Sequence, residues 1–145
     1  MGEETIAFER ELAAYVGAPY VISVNSCTSA LFLSLMAVNI RPGDEVICPS
    51  LTWCSTANAA LYLGARAVLC DVDPETLSVT PETIAPHITP RTRAVMVVHM
   101  GGLAVDVAAL RASFNHTPRF PWLKVLCWLA AIGAVIGFMV RFAPN

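Results

Sequence analysis

The sequence predicts an α/β fold: a mostly parallel sheet with flanking helices. Three observations predict it. Short apolar runs rich in β-branched residues stand at 21–24, 45–49, 67–72 and 94–98. Between them, apolar residues fall at helical spacing. Gly, Pro or Asp marks most changes of pattern. Strands alternating with helices in this way read as a parallel sheet covered on both faces.

The elements follow in order. Residues 3–15 carry Ile6, Ala7, Phe8, Leu12 and Ala13 at helical spacing, and Gly17 and Pro19 end the helix. Residues 21–24 read as a buried strand. Asn25, Ser26, Cys27 and Thr28 then lead into a helix carrying Ala30, Leu31, Leu33, Leu35 and Met36. A strand that turns directly into a helix leaves the first helical N–H groups pointing outward. With hydroxyls at the turn, that is an anion site suited to phosphate; a plain N-cap by Ser26 or Thr28 is the other reading. Arg41-Pro42-Gly43-Asp44 is a turn, and 45–49 a second strand closed by Pro49. A loop at 50–53 precedes an Ala-rich helix over 55–62, ended by Gly64. The third strand, 67–72, runs into the turn Asp73-Pro74-Glu75. Thr80-Pro81 starts a helix that Thr89-Pro90 stops. The fourth strand, 94–98, is followed by His99-Met100-Gly101-Gly102 and by a helix from Asp106. Ligands of parallel sheets sit beyond the carboxyl ends of the strands. The loops 25–29, 50–53, 71–73 and 99–102 are therefore predicted to converge.

Composition narrows the function. The 145 residues are 56% hydrophobic and 14% charged, against about 25% charged in an average soluble domain. The excess lies in the last quarter. A net charge of −2 and the lack of a basic cluster argue against a nucleic-acid partner. Cys27, Cys48, Cys54, Cys70 and Cys127 are scattered, with no C-x-x-C. They read as reduced thiols of a cytosolic fold, and no metal site is predicted. Residues 1–11 are acidic, unlike a secretory leader.

Several runs carry a resemblance. They are Asn25-Ser26-Cys27-Thr28-Ser29-Ala30-Leu31, Arg41-Pro42-Gly43-Asp44-Glu45-Val46-Ile47-Cys48-Pro49-Ser50-Leu51-Thr52-Trp53, Leu63-Gly64-Ala65-Arg66, Asp71-Val72-Asp73-Pro74-Glu75-Thr76, Ile88-Thr89-Pro90-Arg91 and Val98-His99-Met100-Gly101-Gly102. In this order and spacing, over about 3–111, the chain resembles the DegT/DnrJ/StrS sugar aminotransferases. It is most similar to the branch that includes the UDP-4-amino-4-deoxy-arabinose–oxoglutarate aminotransferase. The resemblance implies the N-terminal part of a large domain of the aspartate-aminotransferase fold (fold type I). It implies pyridoxal 5′-phosphate as cofactor, a keto-sugar nucleotide as substrate, a glutamate-type amino donor, and homodimers. It implies that Thr28 and Ser29 hold the cofactor phosphate, beside Cys27, which stands where the family usually has Gly or Ala. It implies that Trp53 stacks on the pyridine ring, core packing being the alternative for an indole. His99 belongs to the family's His-x-x-Gly element, as a proton carrier or a structural residue. The family's Schiff-base lysine and the aspartate opposite the pyridine nitrogen have no match. The one lysine is Lys124, in an unrelated context, and no Asp or Glu follows Asp106. A truncated, inactive aminotransferase part is the expectation, with a membrane-anchored non-enzymatic module or one half of a split enzyme as the alternatives.

The text changes near Ser113. Residues 1–112 are expected to be the truncated domain, 113–120 a linker and 121–142 a hydrophobic helix. Val125 to Val140 carries no charge, and 121–142 as a helix would span about 33 Å, enough to cross a bilayer. Lys124 and Arg141 near its ends, with Trp122 and Trp128, fit interfacial positions. A buried core helix is the other reading. A membrane-anchored chain with its N-terminal part in the cytoplasm is expected, a wholly cytoplasmic one being the alternative. If the tail is in lipid, the sheet edge at 94–98 is left open.

Overall fold

The computed structural model describes residues 2–115 and 124–129. Four strands form one sheet in the order β2-β1-β3-β4, every neighbouring pair parallel. The strands are β1 (Glu45–Pro49), β2 (Arg66–Cys70), β3 (Thr92–His99) and β4 (Lys124–Leu129). The helices are α1 (Glu3–Val16), α2 (Cys27–Ala37), α3 (Ser55–Tyr62), α4 (Pro81–Ile84, continued by a 3₁₀ turn over Ala85–His87) and α5 (Val107–Asn115).

The core lies on both faces of the sheet, and strand periodicity decides which side chain goes where. Val46 and Cys48 of β1, with Ala94 and Met96 of β3, point to one face and pack with Leu31 and Leu35 of α2 and Ala59 and Ala60 of α3. Ile47 of β1, with Val95 and Val97 of β3, point to the other face and pack with Ile84 of α4 and Leu110 and Phe114 of α5. All five residues of β1 are buried, as a central parallel strand requires.

Local chemistry sets the joints. Ser26 caps α2, its Oγ accepting from the Ser29 N–H at 3.2 Å. Thr80 and Thr83 exchange side chain-to-backbone hydrogen bonds as a capping box at the start of α4. Gly64 follows α3 at φ +71°, and a Cβ there would stand 3.1 Å from Pro42 Cγ. Both the left-handed backbone and the close approach demand glycine.

Two expectations change. Residues 21–24 belong to no strand among the described residues. A strand exists through its ladder, not through β-branched composition alone. Here the Ser23 N–H donates instead to Glu9 Oε1 of α1, at 2.6 Å, and the Ser23 hydroxyl does the same at 2.7 Å. Ile22 is 68% exposed. The second correction falls on the predicted helix at 121–142. Lys124 to Leu129 is strand β4, in register with β3 from Ala94↔Lys124 to His99↔Leu129. The edge of β3 is therefore paired, not open. A short apolar run fits a buried strand as well as a buried helix, and periodicity does not separate the two. Residues 130–142, and the linker over 116–120, lie outside the described residues. Among the described residues no helix is long and apolar enough to cross a membrane.

At the amino end of the sheet one carboxylate joins three segments. Glu45 is 2% exposed. It accepts from Arg91 Nη2 at 2.8 Å and Nε at 3.1 Å and from the Thr89 hydroxyl, and Arg66 Nη1 lies 3.6 Å away. The Thr89 hydrogen bond is the largest single cause that holds its carboxyl below the usual range, with burial opposing and the arginines assisting. Replacing Glu45 by Ala is expected to lower unfolding free energy by about 2 kcal/mol. A folded-state pKa below 4.5 makes this contribution complete above pH 4.5 and lost as pH falls through the lowered value. Urea unfolding of wild type and variant across that range checks both the size and the sign; a constant difference would reject the assignment.

Candidate functional site

The sheet order reverses once. From β1 the chain crosses by α3, on one face, to β2; from β2 it crosses by α4, on the other face, past β1 to β3. The loop after β1 leaves toward α3 and the loop after β3 toward α5, on opposite faces. Such a reversal opens a crevice outside the carboxyl ends of the two strands. Trp53 and His99 stand on the two loops that flank it. The helix α2 ends only seven residues before β1 begins at the opposite, amino end of the sheet. It therefore runs against the strands and presents its N-terminus at the carboxyl side.

That N-terminus carries three hydroxyls. Ser26 and Ser29 are joined through their Oγ atoms at 2.9 Å, and the Ser29 hydroxyl donates to Asn25 Oδ1 at 2.9 Å. The exposed Thr28 hydroxyl bonds to no other described residue. The first-turn N–H groups of a helix have no carbonyl partner within it, and its dipole is positive there. Cys27 is partly buried against the core of the first face. The plain N-cap is present, made by Ser26, and the exposed Thr28 hydroxyl stands beside it.

Trp53 is 70% exposed, which removes core packing as its role. It stands on the loop that follows β1. The loop beneath it is fixed at several points. The Ser50 N–H donates to the Cys70 carbonyl at 2.7 Å and the Ser50 hydroxyl to Asp71 Oδ1 at 3.2 Å. The Thr56 N–H donates to the Trp53 carbonyl at 3.0 Å, and the hydroxyls of Thr52 and Thr56 lie 2.8 Å apart. The predicted loop at 71–73 is partly committed to itself. Asp73 accepts from the N–H groups of Glu75 and Thr76 and from the Thr76 hydroxyl, whose bonds hold its carboxyl below the usual range. Ser50, Thr52 and Asp71 lie in the loops that the sequence marked, whereas Thr56 did not stand out; the i, i+4 pair of threonines at a helix start was the available sign.

His99 is 8% exposed, and its Nδ1 accepts from the Val105 N–H at 2.9 Å. This fixes the neutral tautomer with the proton on Nε2 and closes the loop that contains Gly101 and Gly102. Among the described residues no group of three or more His, Cys, Asp or Glu is placed to hold a metal ion. Cys48 and Cys70 are buried on opposite faces, and burial pushes their thiols up to about 12 and about 11. Neither is a nucleophile near neutral pH.

The profile of the DegT/DnrJ/EryC1/StrS aminotransferase family matches residues 1–117. The spore coat polysaccharide biosynthesis protein SpsC of Bacillus subtilis is 49% identical over 116 residues, which are 79% of this chain and 30% of SpsC. The solved 3-amino-5-hydroxybenzoic acid synthase is 40% identical, with a TM-score of 0.80 over 87% of this chain and 32% of its own. NtdA of Bacillus subtilis, solved with bound cofactor PMP, is 35% identical, with a TM-score of 0.80 over 88% and 28%. This chain thus spans about a third of the length of these relatives.

Burial pushes the His99 pKa below its ordinary 6.5. The unfolded chain then binds the extra proton first, so stability is complete above pH 6.5 and falls as pH drops below it. Asn at this position can accept from Val105 without titrating. In unfolding titrations between about pH 7.5 and about pH 5.5, His99→Asn should flatten this decline. An equal slope in both proteins would show that His99 does not carry it.

Proposed function

Because this chain belongs to the DegT/DnrJ/EryC1/StrS aminotransferase family, we propose that its described residues form the phosphate and ring platform of a pyridoxal-phosphate-dependent sugar aminotransferase. The observation that carries the proposal is the pairing at one end of the sheet of a hydroxyl-bearing helix N-terminus with an exposed indole. The substrate would be a keto-sugar linked to a nucleotide, and the amino donor a glutamate-type acid.

The residues fit the cofactor's phosphate and ring. The Thr28 hydroxyl and N–H at the start of α2 offer donors to a phosphate. Ser29 joins them if its hydroxyl turns from Asn25. Cys27, partly buried beside them, brings the helix start against the core. The Trp53 face takes one side of a flat heterocycle and shields it from water. His99 holds the glycine loop on the far side of the crevice. When bound, the cofactor supplies an electron sink for amino-group transfer.

The chemistry also needs an amine that carries the cofactor. Lys124 is the first residue of β4, opposite Ala94, while the site lies beyond Leu129 and His99. At about 3.3 Å per residue, Lys124 stands about 16 Å back along the sheet. No amine of a described residue therefore reaches the platform, and the chain by itself is expected to hold the cofactor without transferring an amino group. The lysine and the carboxylate for the pyridine nitrogen would come from residues other than these 145.

Two measurements test this. The double variant Thr28→Ala/Ser29→Ala should weaken pyridoxal phosphate binding to the full chain about tenfold or more, the loss expected when charged hydrogen bonds to a phosphate are removed; unchanged affinity rejects the phosphate site. Borohydride treatment of the loaded chain, read by peptide mass spectrometry, should leave Lys124 unmodified. Stoichiometric capture of cofactor on Lys124 would overturn the placement of that residue.

A further inference from the structure

The loop that displays Trp53 is gripped by a fully buried threonine. Thr56, in the first turn of α3, is 0% exposed. It reaches the loop twice, on either side of the indole's own Cα. Its N–H donates to the Trp53 carbonyl at 3.0 Å, and its hydroxyl lies 2.8 Å from that of Thr52. Its carbonyl in turn faces the buried Cys48 Sγ of β1 at 3.9 Å. Residues 52 and 53 are therefore both tied to one side chain and backbone inside the core. The indole outside has no ring partner among the described residues. An exposed aromatic with no ring partner takes its orientation chiefly from its backbone.

We propose that Thr56 is a positioning residue, whose hydroxyl bond to Thr52 fixes the Trp53 backbone and so sets the orientation of the ring platform. This deepens the proposed function and rests on it for the identity of the ring that Trp53 meets; the clamp itself stands on the geometry alone. The physical reason is the burial. A hydroxyl inside the core keeps its one partner, because leaving it unpaired is unfavourable by the loss of a hydrogen bond with no water to replace it. Thr52, half-buried on the loop, is the partner that Thr56 holds. A mobile loop would let the indole sample many orientations; a clamped one presents a single face, and the ordering cost of binding a flat ligand has then been met before it arrives.

The test uses the full chain labelled with ¹⁵N and follows the Trp53 indole N–H resonance, assigned by its loss in Trp53→Phe. Thr56→Val keeps the shape and removes the hydroxyl; Thr56→Ser keeps the hydroxyl. Thr52→Val removes the same bond from the loop side without touching the core, and serves if Thr56→Val fails to fold. In Thr56→Val or Thr52→Val the Trp53 resonance should broaden or split, and the Thr56 amide should exchange about fivefold faster, the effect of losing one hydrogen bond of about 1 kcal/mol. Thr56→Ser should restore both. A folded Thr56→Val, or Thr52→Val in its place, with an unchanged Trp53 resonance overturns the proposal, as does failure of Thr56→Ser to rescue. Pyridoxal phosphate is then added to the wild-type chain. If it leaves the Trp53 resonance unmoved, the ring-platform reading of the preceding section fails while the clamp, judged on the ligand-free spectra, stands.

Discussion

Everything in this fold depends on β1 being parallel to both of its neighbours and buried on both faces. Glu45 to Pro49 have no exposed side. A strand in that position needs a helix layer above and below, because parallel crossovers return on the faces of the sheet. The chain supplies α2 and α3 for one face and α4 and α5 for the other. Since the crossovers from β1 and β3 leave to opposite faces, the sheet splits at its carboxyl end between these two strands. The candidate site is thus a consequence of covering β1 rather than an addition to the fold.

The amino end of the same strand shows the opposite solution. Glu45 is a charged side chain at a buried position, and a buried carboxylate is tolerated only when paired and hydrogen-bonded. Arg91, Arg66 and Thr89 do this, and they come from the two segments that lead into β3 and β2. The two arginines are largely exposed, so water screens their charge, and the Thr89 hydrogen bond is the largest single cause that holds the carboxylate ionised. The network joins three strands at the end of the sheet where no ligand is expected. The other end is left with hydroxyls, an indole and a glycine loop.

Much of this was legible in the residues. The alternation of apolar strand runs with Ala- and Leu-rich helical runs gave the layers, and Gly64, Thr80-Pro81 and the Ser26 cap fell where turn and cap chemistry places them. The loops carrying Trp53 and His99 were read correctly as carboxyl-end loops. What could not be read was pairing. Val21, Ile22 and Val24 have strong strand propensity, yet propensity does not provide a neighbour, and the Ser23 N–H is satisfied by Glu9 instead. Nor could the sequence show that Thr56 faces inward to hold Thr52. An i, i+4 pair of hydroxyls reads equally as two solvated side chains, and only the burial of α3 separates the two cases.

The apolar stretch beginning near Lys124 taught the larger lesson. Hydrophobicity over a long window says that a segment leaves water, but not into what. Six residues of it found β3, whose free edge offered unpaired N–H and C=O groups beside an apolar face. A strand added there satisfies the open backbone groups of β3 by a ladder. Parallel pairing then fixes a direction as well as a place. It sends the carboxyl end of β4 to the crevice and leaves its first residue at the far end of the sheet. Because that first residue is Lys124, the segment that completes the sheet's edge carries its amine away from the site. The architecture is closed by a run of apolar residues that could have come from many sequences, whereas the chemistry needs one amine at one end of one strand.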